Sequence, residues 1–326
     1  MNQTTRPLVV LTDQIHSDAY RYLCDNAEVT ILDPALPPDQ ANVALRRALA
    51  HAQGLIVRRQ LPGDIFEGQH DLRGVLRHGV GLDFIPVAAA TSKKLPVANT
   101  PEVNANSVAE YVIGAMLAMT RRFAEFDQNV RDGNWGARRH AGELTFELKS
   151  RCVGIVGFGA IGKRLAEIAF HGFGMRVIAY TRTPSKLPAH VKSAGLKALF
   201  STSDYIVLAC PLTETTRGMI NADVLAHAKP NVMLINVARG PVVNETDLAA
   251  ALESGQIASA ALDVFEVQPL PATSRLRAHP GVMLTPHLAG MTMDAERAMG
   301  MLAVQTQLAL IRGERPANVV NAEIYT

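Results

Sequence analysis

The stretch Val153-Gly154-Ile155-Val156-Gly157-Phe158-Gly159-Ala160-Ile161-Gly162 constrains this chain more than any other. Apolar, mostly β-branched residues run straight into Gly157-x-Gly159-x-x-Gly162. A helical pattern follows from Ala160 to about Phe170 and stops at Gly172 and Gly174. A second apolar strand, Arg176–Tyr180, comes next. Strand, tight turn, helix and strand in this order predict a β-α-β unit that binds a dinucleotide. Gly157 permits the sharp turn, Gly159 lets a pyrophosphate approach the backbone, and Gly162 lets the helix sit close to the strand. The helix N-terminus offers unpaired N–H groups and a positive dipole end to phosphate. The alternatives are a structural turn and a different nucleotide-like ligand.

The unit lies in the middle of the chain, with strands and helices alternating on both sides. Strands are expected at Leu8–Thr12, Val29–Leu32, Gly54–Val57, Val75–His78 and Pro96–Ala98. Later ones are expected at Tyr205–Ala209, Val232–Val237, Ala258–Val264, Val282–Thr285 and Ala317–Asn321. Helical periodicity marks Ser17–Cys24, with Ser17 as cap, then Asp39–Ala50 and Ile85–Lys94. Ser107-x-x-Glu110 is a capping-box pattern. It opens an apolar stripe (Val108, Tyr111, Val112, Ala115, Met116, Met119) that runs to about Arg122 and fits core or subunit interface. Arg138–Lys149 has mixed charges and reads as an exposed excursion. Helices are also expected at Ser185–Ser193, Asn221–Ala228, Asn244–Ser254 and Thr292–Arg312. Such alternation implies α/β architecture with parallel sheets and right-handed crossovers. The simplest layout is a domain of residues 1–100 and 290–326 into which a dinucleotide domain, residues 101–289, is inserted. A ligand-binding cleft is expected between them.

Composition narrows the function. The 326 residues are 48% hydrophobic and 19% charged, with net charge +2. That is an ordinary globular balance, with no electrostatic case for nucleic acid or an acidic membrane surface. The opening residues Met1–Pro7 carry no apolar run, so no signal segment is expected, and no later apolar run reaches membrane length. Cys24, Cys152 and Cys210 are far apart in apolar settings and fit reduced core thiols of a cytosolic protein. No Cys/His cluster has metal-ligand spacing, and no metal is expected.

Three loops that follow strands carry chemistry: Val237-Ala238-Arg239-Gly240, Asp263-Val264-Phe265-Glu266-Val267-Gln268-Pro269, and Thr285-Pro286-His287. In an open parallel sheet, loops at the carboxyl ends of strands converge on the site. Arg239, Asp263, Gln268 and His287 are therefore expected to meet beside a nicotinamide.

With these motifs the chain resembles the D-isomer-specific 2-hydroxyacid dehydrogenase family along almost its whole length. The likeness extends to His78-Gly79-Val80-Gly81-Leu82-Asp83, Asn99-Thr100-Pro101-x-x-Asn104, Ser107-Val108-Ala109-Glu110, Cys210-Pro211-Leu212-Thr213 and Asn236-x-x-Arg239-Gly240. The resemblance implies two Rossmann/flavodoxin-like domains and hydride transfer between a nicotinamide dinucleotide and a small 2-ketoacid or D-2-hydroxyacid. His287 would be the general acid/base, since imidazole titrates near neutral pH. Arg239 would clamp the substrate carboxylate with two parallel hydrogen bonds. Val80 and Gly81 would offer backbone N–H groups to the same carboxylate, with Arg58 and Asn104 as further substrate contacts. Cofactor contacts are implied at Gly157, Gly159, Ala160, Ile161, Gly162, Thr181, Arg182, Cys210, Pro211, Thr216, Val237, Ala238 and Asp263. A homodimer built on the inserted domain is also expected.

The chain departs from the family pattern twice. The position that usually carries the Glu paired with the catalytic His holds Gln268, which brings no charge; Glu266 is the alternative support. Formate dehydrogenases, similar to this family, carry Gln there and need no proton transfer, so that activity stands as an alternative. A dinucleotide-binding regulator is another, although retained Arg239 and His287 argue against it. The second departure is Thr181, which stands where an acidic residue would bind the adenosine ribose and favour NAD. Arg182, with Thr183, Ser185 or Lys186, offers a 2′-phosphate site, so NADP is favoured and NAD remains possible.

Overall fold

The computed structural model describes residues 6–68 and 70–326. The chain forms two compact units, Met1–Asn104 with Met291–Thr326, and Ala105–Gly290.

The first unit holds β1 (Leu8–Leu11), β2 (Glu28–Ile31), β3 (Gly54–Val57), β4 (Gly74–Arg77) and β5 (Val97–Ala98). They pair in the order β2-β1-β3-β4-β5, all parallel. Side chains of a strand alternate between faces, and both faces are buried. Val10, Leu55, Val57 and Val75 pack with the helix Pro38–Leu49 on one side. Val9, Leu11, Ile56 and Leu76 pack with the helices Ser17–Asn26 and Met293–Ile311 on the other. The long helix approaches closely because two strands begin with glycine. A Cβ on Gly54 would lie 2.6 Å from Gln307 Nε2, and one on Gly74 2.7 Å from Leu310 Cβ.

The second unit holds β6 (Cys152–Val156), β7 (Arg176–Tyr180), β8 (Val191–Ser193), β9 (Tyr205–Leu208), β10 (Met233–Asn236), β11 (Ser259–Leu262) and β12 (Val282–Leu284). Their order is β12-β11-β10-β9-β6-β7-β8, and every pairing is parallel. Chain direction across the sheet reverses between β6 and β9. In such sheets that reversal opens a crevice at the carboxyl ends of the strands.

The methionine-bearing helix is Ala105–Thr120. Val108, Val112, Ala115 and Met116 of its stripe are buried in the unit's own core. Each large apolar side chain so buried contributes about 1.5–3 kcal/mol. Ser107 lies inside this helix, not at its cap, and Asn106 Nδ2 donates to Glu110 at 2.7 Å. The stripe is thus satisfied within one chain. Apolar surface shows instead in the next segment, where Phe123, Val130, Trp135, Leu144 and Phe146 are exposed.

Four local expectations need correction. Ser185–Ser193 is not a helix: Pro184 and Pro188 interrupt it, and Val191–Ser193 joins β7 as β8. Ala317–Asn321 is not a strand. A single bridge joins Val319 to Ala98, and Asn321 Oδ1 then takes the Val97 N–H at 2.8 Å, so the ladder goes no further. The first helix is capped by His16, whose Nδ1 accepts from Asp18 N, rather than by Ser17. Cys24 is half-buried, whereas Cys152 and Cys210 are buried.

Candidate active site

The glycine turn builds a phosphate cradle. Gly157 has φ +98°, and a Cβ there would lie 2.7 Å from Cys210 N, so the turn presses against the end of β9. A Cβ on Gly162 would lie 2.4 Å from Gly157 O, so the helix Ala160–Glu167 sits directly on the turn. A Cβ on Gly159 would meet no atom within 4 Å, which leaves its backbone open to an approaching group. Lys163 N donates to Gly159 O at 2.9 Å and starts the helical ladder. The N–H groups of Ala160, Ile161 and Gly162 precede that ladder and face out of the helix N-terminus. These features fit the pyrophosphate of a nicotinamide dinucleotide. Thr181, Arg182 and Thr183 follow β7 beside this turn, with Arg182 and Thr183 exposed. Thr216 Oγ1 donates to Pro211 O at 2.7 Å and fixes the loop after β9. The Cys210 thiol, pushed up to about 11 by burial, stays protonated.

The loops after β10, β11 and β12 lie side by side because their strands are neighbours. Asn236, the last residue of β10, shapes the first: its Nδ2 donates to Arg239 O at 3.1 Å, and its Oδ1 accepts from Ala238 N at 3.0 Å. Val237 and Ala238 are buried, while Arg239 is half-buried and donates from Nη1 to Ala238 O at 2.8 Å. A Cβ on Gly240 would lie 1.8 Å from Phe265 C. Only glycine lets the Arg239 turn pack against the loop after β11.

Asp263 organises the His287 loop. It is 2% exposed. Its Oδ1 accepts from Thr285 Oγ1 at 2.6 Å and Leu288 N at 2.8 Å, and its Oδ2 from Ala289 N at 2.9 Å. Its carbonyl accepts from His287 N at 2.8 Å. The Thr285 hydroxyl proton goes to this carboxylate, so the Tyr111 hydroxyl, 2.7 Å from Thr285 Oγ1, is the donor in that contact. Burial raises the Tyr111 pKa and keeps that proton in place. Sequence reasoning missed both partners: Tyr111 read as one more residue of an apolar stripe, and Thr285 as part of a motif without a task.

His287 is exposed at φ +56°. Its Nδ1 lies 3.0 Å from Gln268 Oε1. Gln268 Nε2 donates to Phe265 O at 3.4 Å, which turns Oε1 toward the ring. With Oε1 so oriented, the neutral ring donates from Nδ1 in this contact. Glu266 is engaged elsewhere: its N–H donates to Glu245 Oε1, and its own Oε1 accepts from Glu245 N. Gln268, not Glu266, touches the imidazole.

In the first unit, residues at the carboxyl ends of β3 and β4 gather around Arg77. Its Nη1 donates to Val57 O at 2.8 Å and His78 O at 2.9 Å, and its Nε to Gly81 O at 3.1 Å. Asn99 Nδ2 donates to Val80 O at 2.8 Å. The carbonyls of the Val80-Gly81 turn are thus held, and among the described residues its two N–H groups have no acceptor. Arg77 was not anticipated; its signal was a cation at the end of an otherwise apolar strand. His78 is buried, and its pKa is lowered to about 3 by desolvation, then by Arg58 and Arg77. Arg58 forms an ion pair with Glu296 at 2.9 Å and also donates to Gln14 O at 3.0 Å, both from Nη1. Asn104 is half-buried at the end of this unit.

Known proteins share this architecture. The family model "D-isomer specific 2-hydroxyacid dehydrogenase, NAD binding domain" matches residues 113–289. A glyoxylate reductase of Pyrococcus furiosus is 34% identical over 98% of this chain and 96% of its own length. A hydroxypyruvate reductase of Thermotoga maritima is 35% identical over 91% and 96%. Among solved structures, the TT0316 protein of Thermus thermophilus has a TM-score of 0.87 at 30% identity, covering 96% of this chain and 99% of that one. An NADPH-dependent glyoxylate/hydroxypyruvate reductase of Sinorhizobium meliloti, solved with NADP and malonate, has a TM-score of 0.82 at 29% identity, covering 97% of each. Among the described residues no helix is long and apolar enough to cross a membrane. The chain belongs to the D-isomer specific 2-hydroxyacid dehydrogenase family, oxidoreductases of CH–OH donors that use a nicotinamide dinucleotide.

Proposed function

We propose that the chain is an NADP-preferring reductase of small 2-ketoacids of the glyoxylate and hydroxypyruvate class. The observation that carries this reading is the His287 imidazole held at 3.0 Å by Gln268, whose loop after β11 lies between the His287 loop and the loop that bears Arg239. Reduced nicotinamide, when bound, supplies the hydride for the keto carbon. The residues do the rest. Arg239 holds the substrate carboxylate and polarises the carbonyl. His287 Nε2 gives a proton to the carbonyl oxygen as charge builds there. Gln268 keeps the ring in the tautomer that leaves Nε2 for that task. The Val80 and Gly81 N–H groups, with Arg58 and Asn104, complete the substrate set.

The second unit serves as the cofactor domain and the first as the substrate domain. Gly157, Gly159 and Gly162 take the pyrophosphate with the N–H groups of Ala160 and Ile161. Cys210, Pro211, Thr216, Val237, Ala238 and Asp263 line the rest of the cofactor path. Thr181 removes the carboxylate that would repel a 2′-phosphate, and exposed Arg182 supports NADP over NAD. The chain works as a homodimer in the cytosol. The exposed apolar side chains from Phe123 to Phe146 support the dimer, and three free cysteines fit a reducing compartment.

The test is nicotinamide absorbance with glyoxylate, hydroxypyruvate and longer 2-ketoacids, each with NADPH and NADH. Turnover with NADPH at the higher specificity constant is expected. No turnover of any ketoacid would overturn the reading and favour a regulatory role. Oxidation of formate without ketoacid reduction would favour formate dehydrogenase chemistry, the reading that Gln268 independently supports. A monomeric mass by light scattering at micromolar concentration would refute the dimer.

A further inference from the structure

The helix Ala160–Glu167 leads into a π turn, Ile168–Gly172. Glu167 and His171, four residues apart, share a face there. His190 reaches the same point from the loop between β7 and β8. Glu167 Oε2 lies 3.2 Å from His171 Nε2, and Glu167 Oε1 lies 3.4 Å from His190 Nε2. The three donor atoms fall within 4.8 Å of one another. The His190 side chain is 15% exposed, and its Nε2 is buried and makes no hydrogen bond, since the approach of Glu167 lacks the geometry for one. Phe170 stacks on the His190 ring at 4.7 Å and 26°, and the His171 ring meets it edge-on at 5.3 Å. Both imidazoles are therefore held in place.

Two physical readings compete. Charge-assisted hydrogen bonds between imidazolium and carboxylate are short, about 2.7–2.9 Å. Donors that share a tetrahedral ion at bonds of about 2.0–2.1 Å sit roughly 3.3 Å apart instead. The observed separations, 3.2 and 3.4 Å, are longer than such bonds and close to that spacing, and the two imidazoles approach opposite oxygens of one carboxylate, with one donor atom from each residue within 4.8 Å of the others. Imidazole nitrogen also selects against magnesium and calcium, which prefer oxygen. We propose that Glu167, His171 and His190 form a binding site for a divalent transition metal such as zinc, with water as the fourth ligand. Sequence reasoning looked for Cys/His spacing and expected no metal. The fold supplies the third ligand from a residue remote in sequence. A bound ion would fasten the loop that begins with Thr181 and Arg182 to the end of the glycine-motif helix. The site stands apart from the proposed catalysis and does not depend on it.

The test uses untagged full-length protein, stripped with chelator and titrated with cobalt(II) by visible absorbance and with zinc by calorimetry. One equivalent per chain is expected, together with tetrahedral cobalt bands and a zinc-dependent rise in the thermal midpoint. Glu167→Gln and His190→Ala should each weaken binding at least about tenfold. His171 is exposed, so His171→Ala is the structurally mild third variant should half-buried His190 not tolerate loss. His140→Ala, which removes an exposed His–Glu pair lacking a third donor, should bind as wild type does. Absence of stoichiometric binding, or binding unchanged in Glu167→Gln and His171→Ala, would leave an ordinary Glu–His ion pair only and overturn the proposal.

Discussion

Replacing Gln268 by Glu isolates the electrostatic part of the proposed proton transfer. Gln268 Oε1 sits 3.0 Å from His287 Nδ1, so the substitution places a carboxylate oxygen where an amide oxygen now accepts. Shape and tautomer are kept, and one negative charge is added. With charge centres about 4 Å apart, the attraction to an imidazolium is about 1 kcal/mol in water and about 4 kcal/mol at an effective dielectric of 20. His287 is exposed, so the water-like end applies. One pH unit equals about 1.4 kcal/mol, and the expected shift is therefore about 0.7 unit. Its sign follows from which state gains. The carboxylate stabilises the imidazolium, so the ring holds its proton to higher pH. In the proposed reduction that proton is drawn, and the falling limb of kcat/KM for the ketoacid should move up by about 0.7 unit relative to wild type. Oxidation of the hydroxyacid needs the neutral ring, so its rising limb should move the same way. Glu266→Gln should leave both limbs in place, since Glu266 is bound to Glu245. An unmoved limb in a folded, active Gln268→Glu variant would refute the argument.

Arg182→Ala should raise the Michaelis constant for NADPH roughly ten- to hundredfold and leave that for NADH nearly unchanged, the value of one charged hydrogen bond; steady-state kinetics with both cofactors decides it, and a wild type that prefers NADH would already contradict it. Gly240→Ala forces a Cβ to within 1.8 Å of the Phe265 backbone, so the thermal midpoint should drop by about 6 °C or more along with activity; an unchanged midpoint would show that this loop yields easily. Burial holds His78 neutral in the folded chain, with a pKa of about 3, whereas the unfolded chain protonates it near 6.5. Its share of stability is therefore present above pH 6.5 and lost progressively as pH falls toward 3, up to a few kcal/mol. Urea midpoints of His78→Gln should fall less between pH 7 and pH 4.5 than those of wild type, and equal slopes would refute this.

Parts of the fold were legible because the responsible physics is local. Gly157, Gly159 and Gly162 could be given separate tasks before any coordinates, since turn, approach and packing each demand a missing Cβ. The space around each of the three positions differs accordingly: crowded by β9 at Gly157, open at Gly159, filled by the turn at Gly162. Asn244 was readable as a cap, and its Oδ1 accepts from Asp247 N at 3.1 Å. Elements that depend on distant partners were not legible. The β8 strand exists because Val191 pairs with Val177, not because its own sequence is strand-like. The terminal segment stops at a single bridge because the Asn321 side chain takes the Val97 N–H that a longer ladder would use. Arg77 escaped notice because its partners, Val57 O, His78 O and Gly81 O, are backbone atoms that no motif advertises.

The candidate site shows the same boundary more sharply. A residue type can be matched to a reaction, as imidazole is to proton transfer, but not to the strain that aims it. His287 occupies the left-handed region, which costs a non-glycine residue about 1–3 kcal/mol. Nothing in Thr285-Pro286-His287 reveals this. The cost is offset by Asp263, which takes hydrogen bonds from Thr285, Leu288 and Ala289 through its carboxylate and from His287 through its carbonyl. Bonds to a charged acceptor contribute about 1.5–3 kcal/mol each, so three of them over-determine the loop. Burial makes the arrangement stiffer still, because an unpaired Asp263 oxygen in that setting would be costly. Asp263 is therefore the residue that turns an exposed histidine into a fixed one. Gln268 then needs only to choose the tautomer, a task for which a neutral amide suffices and a charge is an option.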